Sequence, residues 1–230
     1  SIIIDLRGNP GGLLNSVTDI ADFFIGGEVI VSTRSKIPSE NKVFRASDKI
    51  IVPRENPVLV LIDKGSASAS EILAGAIKDN NRGFLVGEKT FGKGSVQQVR
   101  SIGESGFKLT MSRYYTPSGV NIDKVGILPD VEVREEEMSD EEAESYKVII
   151  EKFMIQEFAR ENPNPSDSDI SSFIARLEKE GLIFSERLIR RLIRNELNKN
   201  NNDPPVYDLE FDIVLQKAVE MIKTGEFPAR

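Results

Sequence analysis

Lys64-Gly65-Ser66-Ala67-Ser68-Ala69-Ser70-Glu71-Ile72-Leu73-Ala74-Gly75-Ala76 decides how this chain is read. The run before it, Val58-Leu59-Val60-Leu61-Ile62, is apolar throughout and predicts a buried strand. The run after it places Ile72, Leu73, Ala76 and Ile77 at helical spacing and predicts a helix over about 69–79. A strand that turns tightly into a helix sets a small side chain at the helix N-terminus. There a serine hydroxyl meets free backbone N–H groups and the positive end of the helix dipole. Ser68-x-x-Glu71 also fits a capping box, in which serine and glutamate satisfy each other's backbone. The local sequence leaves capping and nucleophilic catalysis both open.

The chain has 230 residues, 39% of them hydrophobic, and contains no histidine and no cysteine. A Ser-His pair, a thiol nucleophile, disulfides and thiolate zinc sites are therefore excluded. The remaining organic base for a serine is a lysine made neutral by burial. Thr90-Phe91-Gly92-Lys93-Gly94-Ser95-Val96-Gln97-Gln98 offers one, with glycines on both sides that let the backbone pack closely. A turn or a phosphate contact is the alternative, although the G-x-x-x-x-G-K-[ST] spacing of a P-loop is absent. The net charge of −7 argues against nucleic acid as the main partner, and no run of eighteen apolar residues occurs.

Upstream, Ile2 to Leu6 reads as a parallel-type strand buried on both faces. Arg7 to Gly12 is then a glycine-rich turn, followed by Leu13, Leu14, Val17, Ile20, Ala21 and Phe24 at helical spacing. A turn between a strand and a helix N-terminus binds anions, either a phosphate or the oxyanion of acyl transfer. G-x-G-x-x-G is absent, which weakens the nucleotide reading.

Four motifs together resemble the C-terminal processing (tail-specific) peptidases. They are Asp5-Leu6-Arg7-Gly8-Asn9-Pro10-Gly11-Gly12, Gly65 to Glu71, Thr90 to Gly94, and Gly126-Ile127-Leu128-Pro129-Asp130, and they cover about residues 1–133. The resemblance implies an α/β core of the crotonase-like (ClpP/crotonase) type and hydrolysis of peptide bonds without metal or organic cofactor. Its catalytic serine and lysine stand twenty-five residues apart, which selects Ser68 as nucleophile and Lys93 as base, rather than Ser66 or Ser70. It places an orienting glutamine one helical turn past the lysine, at Gln97. It implies an oxyanion hole from Ala69 N–H with Gly11 or Gly12, and support from Glu71, Asp79 and Thr90. For those three the plain alternatives are a cap, a surface charge and a turn residue. Asp79 sits on the same helix face as Ser68 and at a helix C-terminus, where a paired carboxylate is expected, with Arg82 as the candidate partner.

The resemblance also implies protein or peptide substrates, cleavage near their C-termini, and a bacterial periplasmic or cell-envelope location. Ser1-Ile2-Ile3-Ile4 opens directly in a strand, so the expectation is a piece of a longer protein. Members of the family carry an export signal, helical segments, a PDZ domain and the first core strands ahead of this point. A vacant position beside Ile2–Ile4 is then expected, filled from another molecule or leaving Ser68 and Lys93 too far apart for a direct hydrogen bond. Thr116-Pro117-Ser118-Gly119 is followed by Val120, where the family has a basic residue.

Residues 1–134 are expected to form the protease core. After Glu135-Glu136-Glu137 the sequence turns helical and highly charged, and residues 135–230 are expected to form four amphipathic helices separated at 162–165, Gly181 and a polar hinge at 198–205. Arg187, Arg190, Arg191 and Arg194 read as a solvated helix face rather than a nucleic-acid surface. No chemistry is legible there, and an interaction or dimerisation role, giving a homo-oligomer, is the expectation. The rival to the peptidase reading is an inactive fragment or a scaffold that has kept the fold.

Overall fold

The structure is a computed structural model and describes residues 1–134, 137–199 and 207–229. Two compact units are present, one of residues 1–134 with 214–230, the other of 135–213. The sequence grouped 214–230 with the preceding helices; here it packs with the first unit, where Phe227 stacks on Phe84 at 5.1 Å between ring centroids.

The first unit is built on β4, Val58–Ile62, whose five residues are all buried. β4 pairs in parallel with β1 (Ile2–Asp5) on one side and β5 (Phe84–Gly87) on the other, and β5 pairs in parallel with β8 (Val131–Glu132). Burial on both faces explains why β4 is apolar at every position rather than alternating. Double burial was also expected of β1, but Ile2, Ile3 and Ile4 are only half-buried. β1 ends the described sheet and pairs with β4 alone.

A second, antiparallel sheet has the order β3-β2-β7-β6. It consists of β2 (Val29–Arg34), β3 (Lys42–Arg45), β6 (Ser95–Ile102) and β7 (Ser105–Tyr115). β3 is an edge strand. β7 is one long strand of eleven residues. The sequence reading missed β6. The β6–β7 loop is Gly103-Glu104, with Gly103 at φ +56°, the left-handed conformation that a two-residue hairpin turn needs. Helix α1 (Leu14–Asp22) follows the first glycine turn and packs on α2 (Ala69–Asp79), the serine helix.

Arg82 fixes the region behind the site. It is 5% exposed, and among the described residues it forms no ion pair with a carboxylate. It donates instead to four backbone carbonyls, those of Phe24 (3.1 Å), Asn56 (3.0 Å), Val52 (3.3 Å) and Pro53 (3.0 Å). Burial lowers its pKa from the ordinary arginine value; nearby Arg54 adds to this and Glu55 opposes it. The expected Arg82–Asp79 pair is thus replaced by a clamp on the end of α1 and the loop before β4.

The second unit contains α3 (Asp140–Glu151), α4 (Met154–Glu161), α5 (Asp167–Lys179) and α6 (Glu186–Lys199). The first helix expected here is two, broken at Phe153, which takes φ +55°. Its core gathers Ile149, Ile155, Phe158, Phe173, Leu177, Ile189 and Ile193. The basic cluster of α6 is engaged internally: Arg190 pairs with Glu186 and Asp167, Arg194 with Asp208 and Glu210, and Arg187 donates to Phe211 O. The last helix of the chain, α7 (Ile213–Thr224), begins later than the sequence suggested. The hinge expected at 198–205 lies mostly outside the described residues.

Arg82→Met keeps the volume but leaves four carbonyls without donors. We expect it to destabilise the first unit by on the order of 3 kcal/mol, read as a lowered urea midpoint with unchanged slope. Arg82→Lys should recover little of this, because one ammonium cannot span a fork of four acceptors. A midpoint within error of wild type would mean that water replaces the guanidinium.

Candidate active site

Ser68 is the N-cap of α2, at φ +58° and ψ −115°. A non-glycine residue in this region is strained, and such strain persists only where the surroundings over-determine it. Three contacts hold the turn. Ala67 N–H donates to Asn9 O at 3.0 Å, Ser70 Oγ donates to Asn9 O at 3.1 Å, and Ser68 N–H donates to Glu71 Oε2 at 2.9 Å. The last bond is the reach-back arm of a capping box, so the capping reading holds. It does not exhaust the serine, whose half-buried hydroxyl donates to no acceptor among the described residues. The neighbouring hydroxyls are committed: Ser66 Oγ donates to Leu6 O at 2.7 Å and is fully buried, and Ser70 Oγ is held by Asn9. Of these three hydroxyls, that of Ser68 is the one without an acceptor among the described residues.

The glycine turn lies directly against the serine. A Cβ on Gly11, which has φ +97°, would fall 2.6 Å from Ala67 O and 2.8 Å from both Ala69 N and Ser68 Cβ. Only glycine fits. Gly11 N–H is used, donating to Asn9 Oδ1 at 2.9 Å. Neither Gly12 N–H nor Ala69 N–H has an acceptor among the described residues. Of the two glycines considered for the second oxyanion donor, Gly12 has the available N–H. A Cβ on Gly12 would meet nothing within 4 Å.

Glu71 is 0% exposed and carries four hydrogen bonds on one carboxylate. Oε1 accepts from Thr90 Oγ1 at 2.5 Å and Gly92 N–H at 2.7 Å; Oε2 accepts from Ser68 N–H at 2.9 Å and Lys93 N–H at 2.7 Å. Thr90 Oγ1 in turn accepts from Ile127 N–H at 2.7 Å. One carboxylate therefore ties the serine turn, the lysine loop and the 126–130 motif together. Among the described residues no lysine or arginine pairs with it. Its negative charge sits in the first turn of α2, where the dipole favours it.

Lys93 departs from expectation. Its backbone is fixed, yet its side chain is exposed rather than buried, and no hydrogen bond joins it to Ser68. Gln97 also departs. It is an exposed residue of β6, just after a bulge between Val96 and Gln97, and not one helical turn past the lysine. Asp79 lies three turns down α2 and accepts from Ser118 N–H at 2.9 Å and Ser118 Oγ at 2.6 Å, anchoring the 116–119 turn.

The sequence reading gave no role to Asn9 and Asp63. Asp63 Oδ1 accepts from the N–H groups of Gly8, Gly65 and Ser66, at 2.8, 2.9 and 3.0 Å, and so joins the two turns. The signal was present: an Asx residue at the start of each glycine-bearing turn is the residue type that bonds its own loop backbone.

Glu71→Gln tests the hub at constant shape. Whichever way the amide turns, its NH2 faces two donors. We expect a loss of on the order of 3 kcal/mol in chemical denaturation. Gly11→Ala should likewise fail to fold stably, whereas Gly12→Ala should fold like wild type. A stable Glu71→Gln protein would show that the carboxylate is dispensable as an organiser.

Comparison with known proteins agrees with this geometry. The chain matches the model of peptidase family S41 over residues 1–133. It is 38% identical over 198 residues to a carboxy-terminal-processing protease of Bartonella bacilliformis, covering 85% of this chain and 44% of that protein. That alignment is longer than the family match and so reaches into the helical region. It is 45% identical over 129 residues to a carboxyl-terminal-processing protease of Synechocystis, covering 56% of this chain and 30% of that protein. Among solved structures, a photosystem II D1 C-terminal processing protease superposes with a TM-score of 0.52 at 39% identity, covering 57% of this chain and 34% of the other. The chain thus spans less than half the length of these relatives. With its family motifs converging on one serine turn, this chain belongs to peptidase family S41.

Proposed function

We propose that the protein of which this chain is part is a serine endopeptidase that cleaves protein substrates near their C-termini. The observation that carries the proposal is the strained Ser68, with a hydroxyl free to react, between two uncommitted N–H groups at Ala69 and Gly12. In this reading Ser68 Oγ attacks the scissile carbonyl and Lys93 Nζ takes its proton. The tetrahedral oxyanion is held by Ala69 and Gly12 N–H, and Lys93 then gives the proton to the leaving amine. Gln97 orients the lysine. Glu71 and Thr90 hold the backbone of both partners, and Asp79 acts at a distance through the 116–119 turn. The exposed Lys93 requires a cover, which a bound peptide would supply by displacing water from its side chain.

The core is assigned to the crotonase-like fold, and the helical region after residue 135 to assembly between copies of the chain. Some relatives are named as chloroplastic and others come from bacteria, and a bacterial envelope location is proposed here. The second reading, a scaffold without activity, is favoured by one observation, the missing Ser68–Lys93 hydrogen bond.

Ser68→Ala and Lys93→Ala should each abolish peptide cleavage by the intact protein while leaving it folded, and Lys93→Arg should be equally inactive because a guanidinium stays charged. Wild-type rates in Lys93→Ala would remove the lysine from the mechanism. A wild-type protein that neither cleaves peptides nor reacts with a fluorophosphonate would favour the scaffold. Light scattering should give an oligomer for the chain, and a monomer would refute the assembly role.

A further inference from the structure

β6 is an open edge of the second sheet. It pairs with β7 alone, and outside that ladder none of its backbone groups forms a hydrogen bond among the described residues. In an antiparallel ladder every second residue turns its N–H and C=O away from the partner strand, so β6 presents a row of donors and acceptors outward. The opposite edge of the same sheet is guarded. β3 is only four residues long, carries Lys42 and Arg45 at its ends, and follows the turn Pro38–Glu40. Short length, end charges and a nearby proline keep an edge from recruiting strands. β6 runs for eight residues with one charge, Arg100, and no proline. Two of its apolar side chains, Val99 and Ile102, are 68% and 67% exposed.

The sequence of this edge is its own complement. Val96-Gln97-Gln98-Val99-Arg100-Ser101-Ile102 reads apolar, polar, polar, apolar, polar, polar, apolar in either direction. Laid antiparallel on itself about Val99, it sets Val99 against Val99, Val96 against Ile102, Gln97 against Ser101, and Gln98 against Arg100. Apolar side chains then meet apolar ones and polar side chains meet polar ones, as stable cross-strand pairs require. The lone charge never meets itself, because Arg100 faces Gln98, whose amide oxygen accepts from a guanidinium. Neighbouring registers lose this match. Centring on Gln98 sets Val99 against Gln97, and centring on Arg100 brings two guanidinium groups face to face.

We propose that β6 pairs antiparallel with β6 of a second copy of this chain, across a two-fold axis at Val99. Two four-stranded sheets would then join into one continuous sheet. A two-fold interface uses the same patch twice, which is what a self-complementary strand supplies. The contact does not depend on the peptidase reading, and it is separate from the assembly assigned to the helical region.

The chain has no cysteine, so single cysteines report the register. Under mild oxidation Val99→Cys should give a disulfide-linked dimer, because directly opposed strand residues lie within the Cα span of a disulfide, roughly 4.4–6.8 Å. Gln97→Cys and Ser101→Cys should each stay uncrosslinked alone and crosslink when mixed. Sedimentation velocity over a concentration series reads the association itself. Val99→Lys sets like charges at the axis and should weaken it at least roughly tenfold. Gln98→Glu gives each Arg100 a carboxylate, and two such pairs should tighten it roughly tenfold. No crosslink at Val99, equal crosslinking at all three positions, or an association unmoved by Val99→Lys overturns the proposal. A weaker association in Gln98→Glu overturns the register. Amide exchange separates the other occupants. Protection of residues 97–102 in a monomeric sample would mean that the chain covers its own edge, and protection only on adding a peptide would assign the edge to a peptide ligand; either overturns the proposal.

Discussion

Everything at this site depends on a buried carboxylate that has no counter-cation among the described residues. Glu71 takes four donors from three segments far apart in sequence, Ser68, Thr90 and the Gly92–Lys93 loop. Burying a carboxylate is expensive unless its lone pairs are filled, and here all the compensation comes from hydrogen bonds and the helix dipole. The donors are backbone N–H groups and one hydroxyl, so the carboxylate fixes main-chain positions rather than side chains. That is what a serine and a lysine on separate loops need, because their relative placement is decided by the backbone. The same bond that caps α2 also holds Ser68 in its strained conformation, so the cap is compatible with the proposed role of Ser68 as nucleophile.

What the sequence made legible follows from short-range rules. β4 was readable because a run buried on both faces needs no alternation, and α2 because its apolar spacing begins at a cap. Ser68 was chosen by spacing; in the structure the hydroxyls of its neighbours Ser66 and Ser70 donate to backbone carbonyls. β6 was illegible because Gln97, Gln98, Arg100 and Ser101 give an eight-residue strand little apolar character, and its pairing with β7 is set by a two-residue glycine turn. The burial of Lys93 was inferred from the chemistry a base needs. No local pattern in Gly92-Lys93-Gly94 encodes exposure, which is decided by whatever lies over the loop. The choice between Gly11 and Gly12 was likewise invisible, since it rests on the Asn9 side chain taking one N–H and leaving the other.

Arginine has opposite fates in the two units for one physical reason. Arg82 is buried on carbonyls because its planar fork satisfies several acceptors at once, which no carboxylate pair is needed to do. Arg190 and Arg194 stay near the surface and are matched with carboxylates from their own unit, so their charges are spent on local packing. Sequence clustering of arginines on α6 therefore says little about an external ligand.

The remaining gap between Ser68 and Lys93 is narrow in kind. Gly92 O accepts from Lys124 N–H at 2.7 Å, Gly94 O accepts from Tyr114 N–H at 2.7 Å, and Lys93 N–H is held by Glu71. A Cβ on Gly94 would fall 2.2 Å from Asp123 N, so this loop has no room to shift as a body. Ser68 is equally fixed by Asn9 and Glu71. The backbone on both sides of the proposed dyad is thus held, and the lysine side chain is its exposed, unconstrained part. Ordering such a side chain costs about 2 kcal/mol of rotamer entropy, far less than remodelling two hydrogen-bonded loops. In the proposed mechanism an exposed lysine on a rigid loop therefore needs a cover over its side chain and no rebuilding of the Glu71 hub.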